Sequence, residues 1–131
     1  MGNLRIYFAA EGSVIFCQAG GKKIRTVTTA SSCSVTSDGK SVVVSDGMSQ
    51  ATVYSVKGEK ITDFSLSEKM IGIKIKNGYC YAFSGRSITV YSDDGQKQGT
   101  HEVKSGALDF FVLDDGSILI CYVSETKRIV P

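Results

Sequence analysis

Histidine, cysteine and paired acids are the side chains with which a small protein most often does chemistry, and here each stands in an unpromising context. The one histidine, His101, lies in GTHEV among polar residues. A Ser-His-Asp or Cys-His mechanism needs an imidazole held in a pocket as a base, whereas this context predicts a solvated surface ring. The acid pairs Asp93-Asp94 and Asp114-Asp115 each run directly into a glycine, Gly95 and Gly116. Aspartate is favoured there for turn geometry, and the alternating acids and closing Glu of a calcium loop are missing. Cys17, Cys33, Cys80 and Cys121 include no CxxC spacing, so no zinc site is expected. Three of them sit in apolar runs (VIFCQ, YCYAF, LICYV), which reads as buried free thiols in a reducing compartment. AGGKK at 19–23 lacks the GxxxxGK[ST] spacing of a phosphate loop. The sequence therefore predicts no catalytic group, no metal and no cofactor.

The totals bound the class of protein. The chain has 131 residues, 42% apolar and 21% charged, enough for one domain with a core. A net charge of +2 is too small to make nucleic acid or an anionic membrane the main partner. The N-terminus MGNLRIYFAAEG has no signal-peptide h-region, and the residues after Gly2 lack the Ser or Thr of a myristoylation site. No apolar stretch is long enough to span a membrane. These features predict a soluble protein of the cytoplasm or nucleus.

What must position any site is written in a repeat. TVYSVKG (52–58) recurs as TVYSDDG (89–95), and IFCQAGG (15–21) is a worn third copy. Gly21, Gly58 and Gly95 fall 37 residues apart, each followed by x-Lys (Lys23, Lys60, Lys97). A second series, Asp38-Gly39, Asn77-Gly78 and Asp115-Gly116, has glycines 39 and 38 apart, and a third runs Gly12, Gly47, Gly85. Asp-Gly and Asn-Gly between apolar runs are hairpin signals, since a type I′ turn needs positive φ at both central residues. The runs between turns (SVVVS, YCYAF, SITVYS, SILICYV) are β-branched and aromatic, hence strands. No segment has a helical period, and DFSLSEKMIGIKI (63–75) reads as a loop followed by a strand. Each unit then holds four strands, a to d. Strand b is apolar throughout, as if buried on both faces, and strand d is polar. Such a gradient suits radially stacked blades.

On these residues the chain resembles a WD40-like β-propeller. SVTSDGKSVVVSDGMSQATVYSVKGEKI (34–61) looks like one blade and IGIKIKNGYCYAFSGRSITVYSDDGQKQ (71–98) like the next, with partial blades on either side. The resemblance is degenerate: Phe16-Cys17, Tyr54-Ser55 and Tyr91-Ser92 occupy the Trp-Asp position, and no Gly-His dipeptide precedes strand a. The expected fold is all-β, with about 3.5 antiparallel four-stranded blades: a partial blade over 1–29, blades over 30–67 and 68–105, and a partial blade over 106–131. The alternative is a β-trefoil of three repeats binding a glycan or a cytoskeletal protein. Phe16, Tyr54 and Tyr91, with Gly21, Gly58, Gly95, Gly39, Gly78 and Gly116, are structural repeat positions. Lys74 and Lys76 read first as a solvated strand end, the other reading being an anion site at a central channel or a neighbouring blade, and Asp109 is the one strand-a acid available to a propeller enzyme. An arc this short does not close a ring, so a homo-oligomer, a second subunit or a longer parent chain is expected to complete it. The resemblance implies a non-catalytic protein-protein interaction module whose partner docks on the d–a and b–c loops. The residues expected there are Met48, Gln50, Lys69, Arg86 and Lys104.

Overall fold

A computed structural model of the chain describes residues 5–9, 12–17, 22–28, 34–46, 50–55 and 57–131. Met48, Gly21, Gly47 and Cys33 lie outside the described residues. The described residues form strands only: β1 (Arg5–Ala9), β2 (Ser13–Cys17), β3 (Lys23–Thr28), β4 (Ser34–Ser37), β5 (Ser41–Ser45), β6 (Gln50–Ser55), β7 (Lys60–Ser65), β8 (Gly72–Lys76), β9 (Tyr79–Phe83), β10 (Ser87–Ser92), β11 (Lys97–Glu102), β12 (Asp109–Val112), β13 (Ile118–Cys121) and β14 (Thr126–Ile129). They make four antiparallel meanders, β1-β2-β3, β4-β5-β6-β7, β8-β9-β10-β11 and β12-β13-β14. Neighbours in sequence pair throughout, as short turns dictate. A trefoil would join strands of different repeats into a shared barrel, and no sheet here does so.

The sheets stack face to face, and period-2 alternation sends successive side chains to opposite faces of each sheet. Val14 and Phe16 meet Val42, Val44, Val35 and Tyr54 at the first seam. Val43, Val53 and Phe64 meet Ile73, Ile75, Cys80, Ala82 and Tyr91 at the second. Tyr81, Phe83 and Ile88 meet Phe110, Ile118, Ile120 and Ile129 at the third. A central sheet is thus buried on both faces, and β5 is buried at all five positions while β7 and β11 are mostly exposed. At about 25 cal/mol per Å² of apolar surface, a buried Phe or Ile contributes roughly 1.5–3 kcal/mol, so these three seams are the main source of cohesion.

The repeated tetrapeptide marks a β-bulge. The β2–β3, β6–β7 and β10–β11 registers slip between Phe16/Cys17, Val53/Tyr54 and Val90/Tyr91. After the slip, Cys17, Tyr54 and Tyr91 pair with Lys23, Lys60 and Lys97. Each bulge adds a residue, twists the outer strand and turns the chain through the following glycine. This corrects the reading of Phe16. The residue equivalent to Tyr54 and Tyr91 is Cys17, while Phe16 points to the opposite seam, its ring 5.7 Å from that of Tyr54. The glycines following the bulges are tightly seated: a Cβ on Gly58 would lie 3.0 Å from Arg25 Cδ, and one on Gly95 would lie 3.3 Å from Phe64 Cβ.

The Asp-Gly and Asn-Gly turns are of two kinds. Asn77 and Gly78 both have positive φ (53° and 81°), and Lys76 pairs directly with Tyr79 around them, the expected two-residue hairpin. At Asp38-Gly39 and Asp115-Gly116 only the glycine is left-handed. There the aspartate keeps an ordinary backbone and uses its carboxylate instead. Asp38 Oδ1 accepts the N–H groups of Lys40 and Ser41, and Asp115 Oδ1 accepts that of Ser117. Asp38 Oδ2 also reaches the next sheet, accepting the Gly78 N–H at 3.1 Å. Asn77 Nδ2 repeats the gesture one sheet on, donating to the Asp114 carbonyl at 3.3 Å. Turns about 37 residues apart are thereby tied to one another across two seams.

Candidate functional site

The d–a and b–c loops gather at one end of the sheets, which brings together residues far apart in sequence. Arg86 is exposed on the β9–β10 loop beside Glu68, Ser105 and Glu102, around an open polar depression of about 790 Å³. Glu68 Oε1 accepts the Ser87 hydroxyl at 2.8 Å. That bond, with Ser84 and the nearby Arg86 charge, holds the Glu68 carboxyl below its ordinary pKa. Lys104 lies 3.4 Å from Glu125 and 6.0 Å from the Tyr122 ring centroid. Lys69 is exposed on the β7–β8 loop, and Gln50 is exposed at the start of β6, its N–H bonded to Asp46 Oδ1. Of the residues expected to bind, Arg86 borders this depression, while Gln50, Lys69 and Lys104 are exposed on their own strand start or loops, and the cations alternate with Glu68, Glu102 and Glu125.

Sequence reasoning missed the apolar part of the same surface. Ile71, Leu108 and Val123 are 65%, 63% and 88% exposed. Ile71 and Leu108 are repeat equivalents, each donating its N–H to the last residue of the next strand but one, Phe83 and Cys121. The signal was available in the spacing, since 71 and 108 are 37 apart, but only the fold shows that neither is covered.

The lysines of β8 are bridges between sheets. Lys74 Nζ donates to the Phe110 carbonyl at 2.6 Å, lies 3.4 Å from Asp109 and sits 4.9 and 4.3 Å from the ring centroids of Phe110 and Phe111. Lys76 Nζ lies 2.8 Å from Asp114. Asp109 is therefore engaged in holding the third seam. Cys17 and Cys80 are free and buried, and Cys121 is free and half-buried. Burial, with Asp38 and Asp93 nearby, pushes the Cys80 thiol up to about 12, which makes it an inert side chain near neutral pH. His101 departs from expectation: it is half-buried, on the wall of a cleft at the third seam with Tyr81 and Ile118. Among the described residues no group of three or more His, Cys, Asp or Glu could hold a metal ion.

No protein-family model and no curated protein sequence matches the chain. Solved structures do. The computationally designed Ika4 protein superposes with a TM-score of 0.76 at 15% identity, over 98% of this chain and 85% of that one. BamB from Moraxella catarrhalis gives 0.73 at 10% identity over 96% of this chain and 39% of that one. BBS1N, solved in complex with ARL6DN, gives 0.74 at 11% identity over 98% and 46%. Together with the sheet order, these define the class: an all-β fold of the β-propeller type, in consecutive antiparallel blades. The chain spans less than half the length of BamB and BBS1N.

Proposed function

We propose that this chain is a non-catalytic protein-interaction module, a WD40-like propeller arc that works as one subunit of a larger assembly. The observation that carries the reading is apolar surface left uncovered in two places. One is the loop end, with Ile71, Leu108 and Val123. The other is the face of β12-β13-β14 turned away from the third seam. Phe111 is 49% exposed there, and Leu119 and Cys121 are half-buried. Their counterparts Tyr81 and Phe83, one sheet earlier, are buried against a neighbour. Radial stacking expects another sheet on such a face. A chain that matches 39% and 46% of two propeller-type proteins leaves room for roughly one more partner of its own size, in the simplest case a second copy.

Light scattering on the eluting species, with native mass spectrometry, tests this. The expected mass is twice that of the 14.0 kDa chain or more. Leu119→Glu, which charges the free face at a residue outside the three seam clusters, should return it to monomer. A well-folded 14 kDa monomer at high micromolar concentration would overturn the reading.

A further inference from the structure

The third seam is built differently from the other two. In the register of each sheet, Tyr54, Tyr91 and Ile129 are equivalent, since they pair with Val42, Cys80 and Ile118. Val27, Phe64 and His101 are equivalent by the same rule, pairing with Val14, Ala51 and Ile88. At the second seam these two positions close on each other: the Phe64 and Tyr91 rings lie 4.5 Å apart. At the third seam they are His101 and Ile129, and a cleft of about 360 Å³ stands open between the sheets. Val90, Ile118 and Ile129 give it an apolar floor, and Tyr79, Tyr81 and His101 give it aromatic walls.

The polar atoms of those walls are unused. Tyr81 is only 6% exposed and Tyr79 is 42% exposed; among the described residues neither hydroxyl nor the His101 ring is bonded within the chain, and they face the open cleft, the one sealed unpartnered side-chain atom being the Tyr91 hydroxyl at the second seam. The ions at the cleft mouth are by contrast already paired, Lys76 with Asp114 at 2.8 Å and Arg128 with Asp115 at 2.7 Å. The site thus offers ring faces, an apolar floor and unpaired donor-acceptor groups, with no net charge to receive an ion. Burial, and then Tyr79, raise the Tyr81 phenol above its ordinary pKa, so it stays protonated and can donate.

We infer that this cleft is a binding site for a free, flat, uncharged heteroaromatic molecule of one or two rings that carries both a hydrogen-bond donor and an acceptor. The ring takes the space that a tyrosine fills at the second seam, and its polar edge meets Tyr79, Tyr81 and His101. The site lies between the third and fourth sheets, away from Ile71, Leu108 and Val123 and from the free face that carries Phe111 and Leu119.

Titration of the labelled chain with nicotinamide and with adenine, followed by NMR, tests it. Saturable shifts centred on Tyr79, Tyr81, His101 and Ile118 are expected, with Kd of the order of a millimolar for ligands of about ten heavy atoms. Ile129→Tyr restores the ring found at the second seam and should weaken binding at least tenfold with the spectrum otherwise retained. Tyr81→Phe keeps the ring, deletes the hydroxyl and should weaken it severalfold, which covers the case in which Ile129→Tyr fails to fold. Benzoate and cyclohexanecarboxamide, charged and non-planar respectively, should bind more weakly than nicotinamide. Non-saturating shifts, equal binding of cyclohexanecarboxamide, or affinity unchanged in both variants would overturn the assignment. So would binding of capped tyrosine amide alone, since that ring comes from a peptide.

Discussion

Removing the Asp38 carboxylate should loosen the second seam from its turn end. Oδ1 accepts the Lys40 and Ser41 N–H groups at 3.0 Å each, and Oδ2 accepts the Gly78 N–H of the next sheet at 3.1 Å. The first two bonds act like a helix N-cap, for which deletion to Ala costs about 1 kcal/mol. The third is charge-assisted but partly solvated, so it adds about 1 kcal/mol rather than the higher figures for buried groups. Asp38→Ala should therefore cost roughly 1.5–3 kcal/mol, which for a chain of this length lowers Tm by about 5–12 °C. Asp38→Asn keeps a neutral acceptor and should lose about half as much. Burial on its own raises the carboxyl's pKa, but the hydrogen bonds from Lys40, Ser41 and Gly78 together hold it below its ordinary value. A group depressed in the folded state contributes stability above its unfolded pKa, about 3.9 for Asp, and loses it as pH falls through the folded value. The gap between wild type and Asp38→Ala in urea unfolding should stay constant near neutrality and narrow in acid below about pH 4. A gap under about 0.5 kcal/mol at pH 7, within the range of ordinary surface substitutions, would show that the turns are not tied through this residue. So would a gap that persists unchanged in acid.

Three further outcomes follow from the same packing. Gly58→Ala should destabilise by more than Gly39→Ala. Both glycines are left-handed, but a Cβ at Gly58 meets Arg25 and Phe16 within 3.2 Å, whereas one at Gly39 meets nothing within 4 Å. Chemical denaturation should give about 1 kcal/mol for Gly39→Ala and about 2 kcal/mol or more for Gly58→Ala; equal losses would contradict the tight seating of the bulge. Lys74→Ala should cost about 1–2 kcal/mol, because it removes a carbonyl hydrogen bond and cation–π contacts at the third seam, and thermal unfolding would reveal a null effect. Cys80 should resist alkylation at pH 8 in the native chain and react once the chain is unfolded. Peptide mapping by mass spectrometry reads both states, and rapid native labelling of Cys80 would contradict its burial.

Local rules carried most of the fold. SVVVS, YCYAF and SITVYS are strands because β-branched and aromatic side chains suit a pleated, packed surface. Gly39, Gly58, Gly78, Gly95 and Gly116 all have positive φ, a backbone that penalises any residue with a Cβ. Such constraints act within a few residues, so they can be read along the chain, and a 37-residue period in them counts blades. They also led to the expectation that Lys69, Arg86 and Lys104 emerge at one end, because connections of alternating strands alternate between the two ends of a sheet.

What the sequence could not decide lies between sheets, where each contact joins residues some 37 positions apart. Polarity alone suggested a solvated His101, yet its neighbour is set by the next sheet, and there Ile129 stands where Tyr91 would have closed the space. Phe16 stood with Tyr54 and Tyr91 in the Trp-Asp position, yet the 37-residue spacing equates Cys17 with those tyrosines, and alternation along β2 then turns Phe16 to the seam that Tyr54 faces from the next sheet. A one-residue slip reverses every side chain in a strand, and hydrogen bonds to the neighbouring strand fix it. The sequence determined that this chain is a series of antiparallel blades, two of four strands between two of three; the stacking of those blades decided which seam is filled, which is open and which apolar surfaces are left uncovered.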